Sequence, residues 1–131
     1  MIVTHTDSRY LPWTRMYLES IANVAPDERV LVSGINLSKD EVLALCNLHK
    51  GTCVKNYHTD KLPAGSHKVH MQCRISQVLI QAYDSNLAEK YIVTNADMLL
   101  RRPLGKLYDK LDLYPLMLRL TTEHMKKKPP Q

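Results

Sequence analysis

Asn95-Ala96-Asp97 sets a side-chain oxygen on either side of an alanine, directly after the apolar run Tyr91-Ile92-Val93-Thr94. A carboxylate with a second oxygen donor two residues away suits a hard divalent ion. Mg²⁺ and Mn²⁺ take oxygen ligands and keep positions open for phosphate oxygens. An ion so held assists a diphosphate leaving a sugar by neutralising its charge. Asn and Asp also form turns by bonding nearby backbone N–H groups. On the triplet alone, both roles stay open.

The second candidate group is Thr6-Asp7-Ser8-Arg9-Tyr10, which closes the first apolar run of the chain. The four glycines form neither G-x-G-x-x-G nor G-K-[ST], which disfavours Rossmann dinucleotide binding and P-loop chemistry. His5 points away from Thr4 and Thr6 in an extended strand, and His49 lies on an inner helical face. Both are expected to be packed or capping residues rather than ligands. His58, His67 and His70 flank the loop "TDKLPAG", where they could approach a phosphate. No Ser/His/Asp or Cys/His set assembles from spacing.

The elements that must position these groups alternate between strand and helix. "MIVTHT" reads as a strand, and Pro12 begins a helix whose apolar face carries Met16, Tyr17, Ile21 and Val24. Pro26 ends it. "RVLVS" is a second strand. Ser38 and Glu41 form a capping box for a second helix with Val42, Leu45, Cys46 and His49 inside, closed by Gly51. "TCVKNY" is a third strand. Met71, Ile75, Val78, Leu79 and Ala82 line a helix over about residues 68–83, and "KYIVT" is a fourth strand. "RRPLGKLYDKL" predicts a short helix or turn. "LYPLMLRL" predicts a fifth strand or an apolar closing segment, with Pro115 favouring an edge. The class is therefore α/β: a Rossmann-like, mostly parallel sheet flanked by helices. In such sheets ligands sit at the carboxyl ends of the strands, where both candidate groups fall.

Length and composition bound the rest. A chain of 131 residues is expected to form one domain over 1–122, with a basic, flexible tail at 123–131. Hydrophobic residues make up 44% and charged residues 24%, ordinary globular usage, and no stretch is long enough to span a bilayer. The start lacks a signal-peptide pattern, so a cytoplasmic location is expected. Three cysteines without a C-x-x-C pair point to buried free thiols. The formal charge is +5, and removing Lys126 to Lys128 leaves +2. No basic helix with interleaved aromatics accompanies that charge, so nucleic acid is not the expected partner.

"IVTHTDSRYLPWTRMYLESI", followed later by an arginine-bearing helix and "EKYIVTNADMLLRRPL", resembles the donor-binding half of a nucleotide-sugar glycosyltransferase with the A-type fold. It is most similar to the family 8-like group that contains glycogenin and the lipopolysaccharide galactosyltransferases. The resemblance covers about residues 2–120. It implies that Thr6, Asp7, Arg9 and Tyr10 line the nucleotide, with Asp7 and Tyr10 holding uracil and the Tyr10 ring stacked on it. It also implies that Arg74, with Lys68 as second choice, meets the diphosphate or sugar of a UDP-sugar donor. Asn95 and Asp97 then hold Mn²⁺ or Mg²⁺, with Asn95 where the family has its first Asp. An amide oxygen brings no charge, so Asp97 is the main ligand and the site is weaker than one with two carboxylates.

The family continues into an acceptor-binding half with a further metal ligand, often a histidine near a glycine and a Lys-Pro pair. His124 in "HMKKKPPQ" lacks that glycine and is not assigned the role. The resemblance leaves three possibilities. Another chain of a homo- or hetero-oligomer supplies the missing half, so that sugar is transferred to an unknown acceptor hydroxyl. The domain binds the nucleotide sugar without turnover. Or the fold serves contact alone, as a non-catalytic structural or interaction protein.

Overall fold

The structure is a computed structural model that describes residues 1–60 and 67–114, the side chains of 67, 68 and 70–72 excepted. In chain order the elements are β1 (Ile2–Asp7), α1 (Leu11–Val24), β2 (Val30–Ile35), α2 (Lys39–Leu48), β3 (Thr52–Tyr57), α3 (His67–Asp84), β4 (Ile92–Val93) and α4 (Gly105–Leu113). The four strands form one parallel sheet in the order β3-β2-β1-β4. This is the α/β architecture that the alternating sequence pattern predicts.

Each face of the sheet has its own core. Ile2, Val30 and Val32 pack against Leu18, Ile21 and Leu45 of α1 and α2, while Val3 and Leu31 pack against Val78 and Ala82 of α3. Side chains alternate along a strand, so adjacent residues of β1 serve opposite layers. All of β2 is buried, as expected of a strand covered on both faces. Burying a side chain such as Leu18 or Ile21 contributes about 1.5–3 kcal/mol.

Local chemistry sets the helix ends. The Ala25 N–H bonds the Ile21 carbonyl at the end of α1, and Pro26 follows. The capping box of α2 is complete: the Glu41 N–H donates to Ser38 Oγ at 3.2 Å, and the Ser38 N–H donates to Glu41 Oε2 at 2.7 Å. His49 packs as the cap of α2, its ring nitrogens 3.0 Å from Thr52 Oγ1 and 3.1 Å from the Pro26 carbonyl. Gly51 permits the close approach of the Glu28 carbonyl, which a Cβ would strike.

Four expectations change. The inner face of α1 is Leu11, Thr14, Tyr17, Leu18 and Ile21, whereas Met16 stands out at 48% exposure beside Trp13 at 54%. Thr14 turns inward because its hydroxyl meets Thr6. The fourth strand is two residues long rather than five, because the chain leaves the sheet after one last rung, Thr94 N–H to the Val3 carbonyl at 2.9 Å. It then runs along α1, held where the Tyr17 and Thr94 hydroxyls meet at 2.9 Å and where the Leu100 N–H bonds Ser20 Oγ at 2.9 Å. Leu113 closes α4 instead of opening a strand; the remainder of "LYPLMLRL" from 115, and the tail, lie outside the described residues. The thiols are free but not buried: Cys46 is partly exposed, and Cys53 and Cys73 are exposed.

Candidate functional site

The β1–α1 corner is tied together by Asp7. Its carboxylate is 4% exposed, and Oδ1 accepts the Tyr10 N–H at 2.9 Å. Oδ2 receives the Arg9 guanidinium at 3.3 and 3.4 Å. The Tyr10 N–H also reaches the Asp7 carbonyl at 3.0 Å, which fixes the turn that starts α1. The Tyr10 side chain is spared from capping and its ring stands 45% exposed at the helix start. Thr6 is fully buried on the α1 side, sharing a 2.6 Å hydrogen bond with Thr14 and leaving only its backbone at the strand end. Ser8 Oγ donates to Glu41 Oε2 at 3.2 Å, linking this corner to the cap of α2.

The triplet behaves differently. Asn95 and Asp97 are exposed, and Ala96 between them is buried to 2%. The methyl group anchors the turn while both flanking oxygens project outward, a result glycine would not produce. Neither flanking side chain makes a hydrogen bond among the described residues. The turn is thus not held by Asx bonds, the alternative use of such residues.

The two groups lie near one another: β4 pairs with β1, and His5 of β1 senses a carboxylate from each. His5 responds to both groups. Burial pushes its pKa below the ordinary value of 6.5, opposed first by the Asp97 carboxylate and then by that of Asp7.

Arg74 is not brought into contact with this pair of groups. Its guanidinium lies over the Tyr57 ring, 4.8 Å from the centroid, and donates to Gln77 Oε1 at 3.0 Å. Tyr57 ends β3, which is separated from β4 by two strands, or about 14 Å at ordinary strand spacing. Lys68, the second choice, has no described side chain.

Asn95 and Asp97 fit a hard divalent ion as a partial site. They are oxygen donors, they face solvent and no other described group occupies them. Among the described residues no three His, Cys, Asp or Glu side chains gather as a metal centre. Phosphate and water oxygens would fill the remaining positions, as Mg²⁺ sites commonly allow.

Several contributors escape a reading of motifs. Asn56 clasps the backbone of Leu37, its amide N–H donating to the carbonyl at 2.8 Å and its oxygen accepting the N–H at 3.1 Å. Asn36 takes a left-handed conformation (φ 53°) and accepts the Thr59 N–H at 2.8 Å. These bonds hold the strand-end loops of β2 and β3. Asn36, an Asn just after a strand, carried a turn signal; Asn56, inside a strand, carried none.

No protein-family model matches the chain, and no curated protein does. Solved structures do resemble it. The galactosyltransferase LgtC in complex with donor and acceptor sugar analogues aligns with a TM-score of 0.54 at 16% identity, over 82% of this chain and 41% of that one. An active-site mutant of LgtC gives 0.53 at 19%, over 82% and 41%. The bifunctional glycosyltransferase WbbM in its apo form gives 0.53 at 16%, over 82% of this chain and 20% of that one. The fold is therefore that of the A-type glycosyltransferases, and the chain spans about two-fifths of LgtC. Among the described residues no helix is long and apolar enough to cross a membrane.

Proposed function

We propose that this domain binds a nucleotide diphosphate sugar, a uridine one, across the carboxyl ends of β1 and β4. The observation that carries this is the Asn95-Ala96-Asp97 turn near the Asp7–Tyr10 corner, with its buried methyl and two outward side chains that make no hydrogen bond among the described residues. Tyr10 offers an exposed ring for a base to stack on. Asp7, held by the Tyr10 N–H and Arg9, accepts the base N–H. Asn95 and Asp97 would hold Mn²⁺ or Mg²⁺, which would supply Lewis-acid neutralisation of the diphosphate.

Where an acceptor-binding half is present, in the same or another chain, the bond from the sugar's anomeric carbon to the diphosphate oxygen breaks. A bond to an acceptor hydroxyl oxygen forms, and that hydroxyl gives up its proton.

Titration calorimetry with UDP, with and without Mn²⁺, tests the proposal. Metal-dependent binding that disappears in Asp97→Ala is expected. No heat at millimolar UDP would remove the nucleotide reading and leave a contact role.

A further inference from the structure

His5 belongs to neither the Asp7–Tyr10 corner nor the Asn95-Ala96-Asp97 turn. It stands on β1 two residues before Asp7, so both side chains lie on the face covered by α3, as Val3 does. Its strand pairs with β4, from whose end the Asn95-Ala96-Asp97 turn leaves the sheet. The ring is half-buried, and its Nδ1 is sealed from solvent without a hydrogen-bond partner. Ser33, its register partner on β2, also has a buried hydroxyl without a partner, so the two do not satisfy one another.

The orphan nitrogen decides what the other one can do. A buried N–H without an acceptor is rare and costly, so the neutral ring keeps its proton on Nε2 and leaves the sealed Nδ1 bare. A metal-ligating imidazole needs the reverse. It gives one lone pair to the ion while its other N–H is held by an acceptor, and Nδ1 has none to offer it to. His5 is therefore a donor at this site and not a third ligand beside Asn95 and Asp97.

We propose that the Nε2–H of His5 donates a hydrogen bond to a phosphate oxygen of the bound nucleotide diphosphate. This rests on the nucleotide site proposed above. Phosphate is the acceptor of choice because an ion on Asn95 and Asp97 would draw phosphate oxygens toward the end of β4, the strand paired with β1 on which His5 stands. His5 is a binding residue there, matched to an anion and carrying no charge of its own.

Two measurements test it. Long-range ¹H–¹⁵N spectra of the wild-type protein with Mg²⁺ should show a ring protonated on Nε2, with a ¹⁵N shift that moves on adding UDP but not uridine. A ring protonated on Nδ1, or an equal response to uridine, overturns the proposal. In binding assays, His5→Ala should lose about tenfold in UDP affinity, the size of one hydrogen bond to a charged group, and nothing in uridine affinity. His5→Gln, which keeps an N–H at similar reach, should recover most of the loss. Unchanged UDP affinity, or equal losses for UDP and uridine, overturns it. If His5→Ala does not fold, the wild-type spectra decide alone. Wild-type protein that binds no UDP defeats the nucleotide site and this proposal together, whereas UDP binding indifferent to His5 defeats only this one.

Discussion

The β1–α1 corner and the turn after β4 sit on adjacent strands yet are built on opposite terms. At the corner, Asp7 is buried and already spends both oxygens on Tyr10 and Arg9, so its geometry exists before any ligand arrives. At the turn, the anchor is a methyl group and the polar atoms are left open. A group fixed by internal bonds contributes orientation at little further entropic cost, whereas open donors contribute affinity only once a cation joins them. The pair thus divides a binding task into a preformed half and a half completed by its ligand.

The sharpest break comes from Asp7→Ala. It takes the carboxylate from the Tyr10 N–H and from Arg9 in one step, and should cost about 1–3 kcal/mol of stability in urea unfolding, along with UDP binding. Asp97→Ala should do the reverse. UDP affinity in Mn²⁺ should fall about tenfold or more, roughly 1.4 kcal/mol, while stability stays within about 0.5 kcal/mol because an exposed, unpartnered side chain is removed. Similar melting losses for both variants would erase the distinction between the two regions.

Asn95→Asp sharpens the turn side. A second carboxylate should raise UDP affinity in Mn²⁺ by several-fold, with no gain when the metal is chelated. An unchanged affinity would mark Asn95 as a turn residue only.

A smaller effect is expected from pH, through His5. Its folded pKa lies below 6.5, so the unfolded state takes up its proton first as pH falls. The stabilising effect of keeping the ring neutral is complete above 6.5 and is lost progressively below it. His5→Gln should therefore flatten the acid limb of the stability curve relative to wild type, measured by urea unfolding at a series of pH values. The smallest change should come from Arg9→Ala, whose ion pair with Asp7 is 3.3 Å long but whose side chain is 74% exposed. Exposed pairs of this kind are worth about 0–1 kcal/mol and weaken with salt.

Local rules carried the sequence far on this fold. Pro12 and the Ser38–Glu41 capping box mark real helix boundaries, because each acts through backbone chemistry within a few residues; Gly51 does not, since His49 caps α2 and the glycine instead admits the distant Glu28 carbonyl. The triplet and the "TDSRY" corner were legible as strand-end groups for the same reason. Periodicity misplaced Met16, since the face a helix buries is decided by what it meets; here Thr6 drew Thr14 inward. The apolar run at 90–94 predicted a five-residue strand, but the attachment to Tyr17 and Ser20 pulled the chain away after two.

Arg74 shows the limit most plainly. Helical spacing puts an arginine on α3, but which strand end it reaches depends on strand order, and β3 lies at the opposite edge of the sheet from β4. His5 is the complementary case. Alternation along a strand correctly turned it away from Thr4 and Thr6, toward what sequence treated as ordinary packing. Only the pairing of β1 with β4 brought it near Asp97. The sequence by itself determined the alternation of elements, the caps and the presence of oxygen donors at two strand ends, since these follow from neighbours along the chain. Tertiary structure decided which donors stand together, which are sealed and which face solvent, because strand order and burial arise from contacts between residues far apart in the chain.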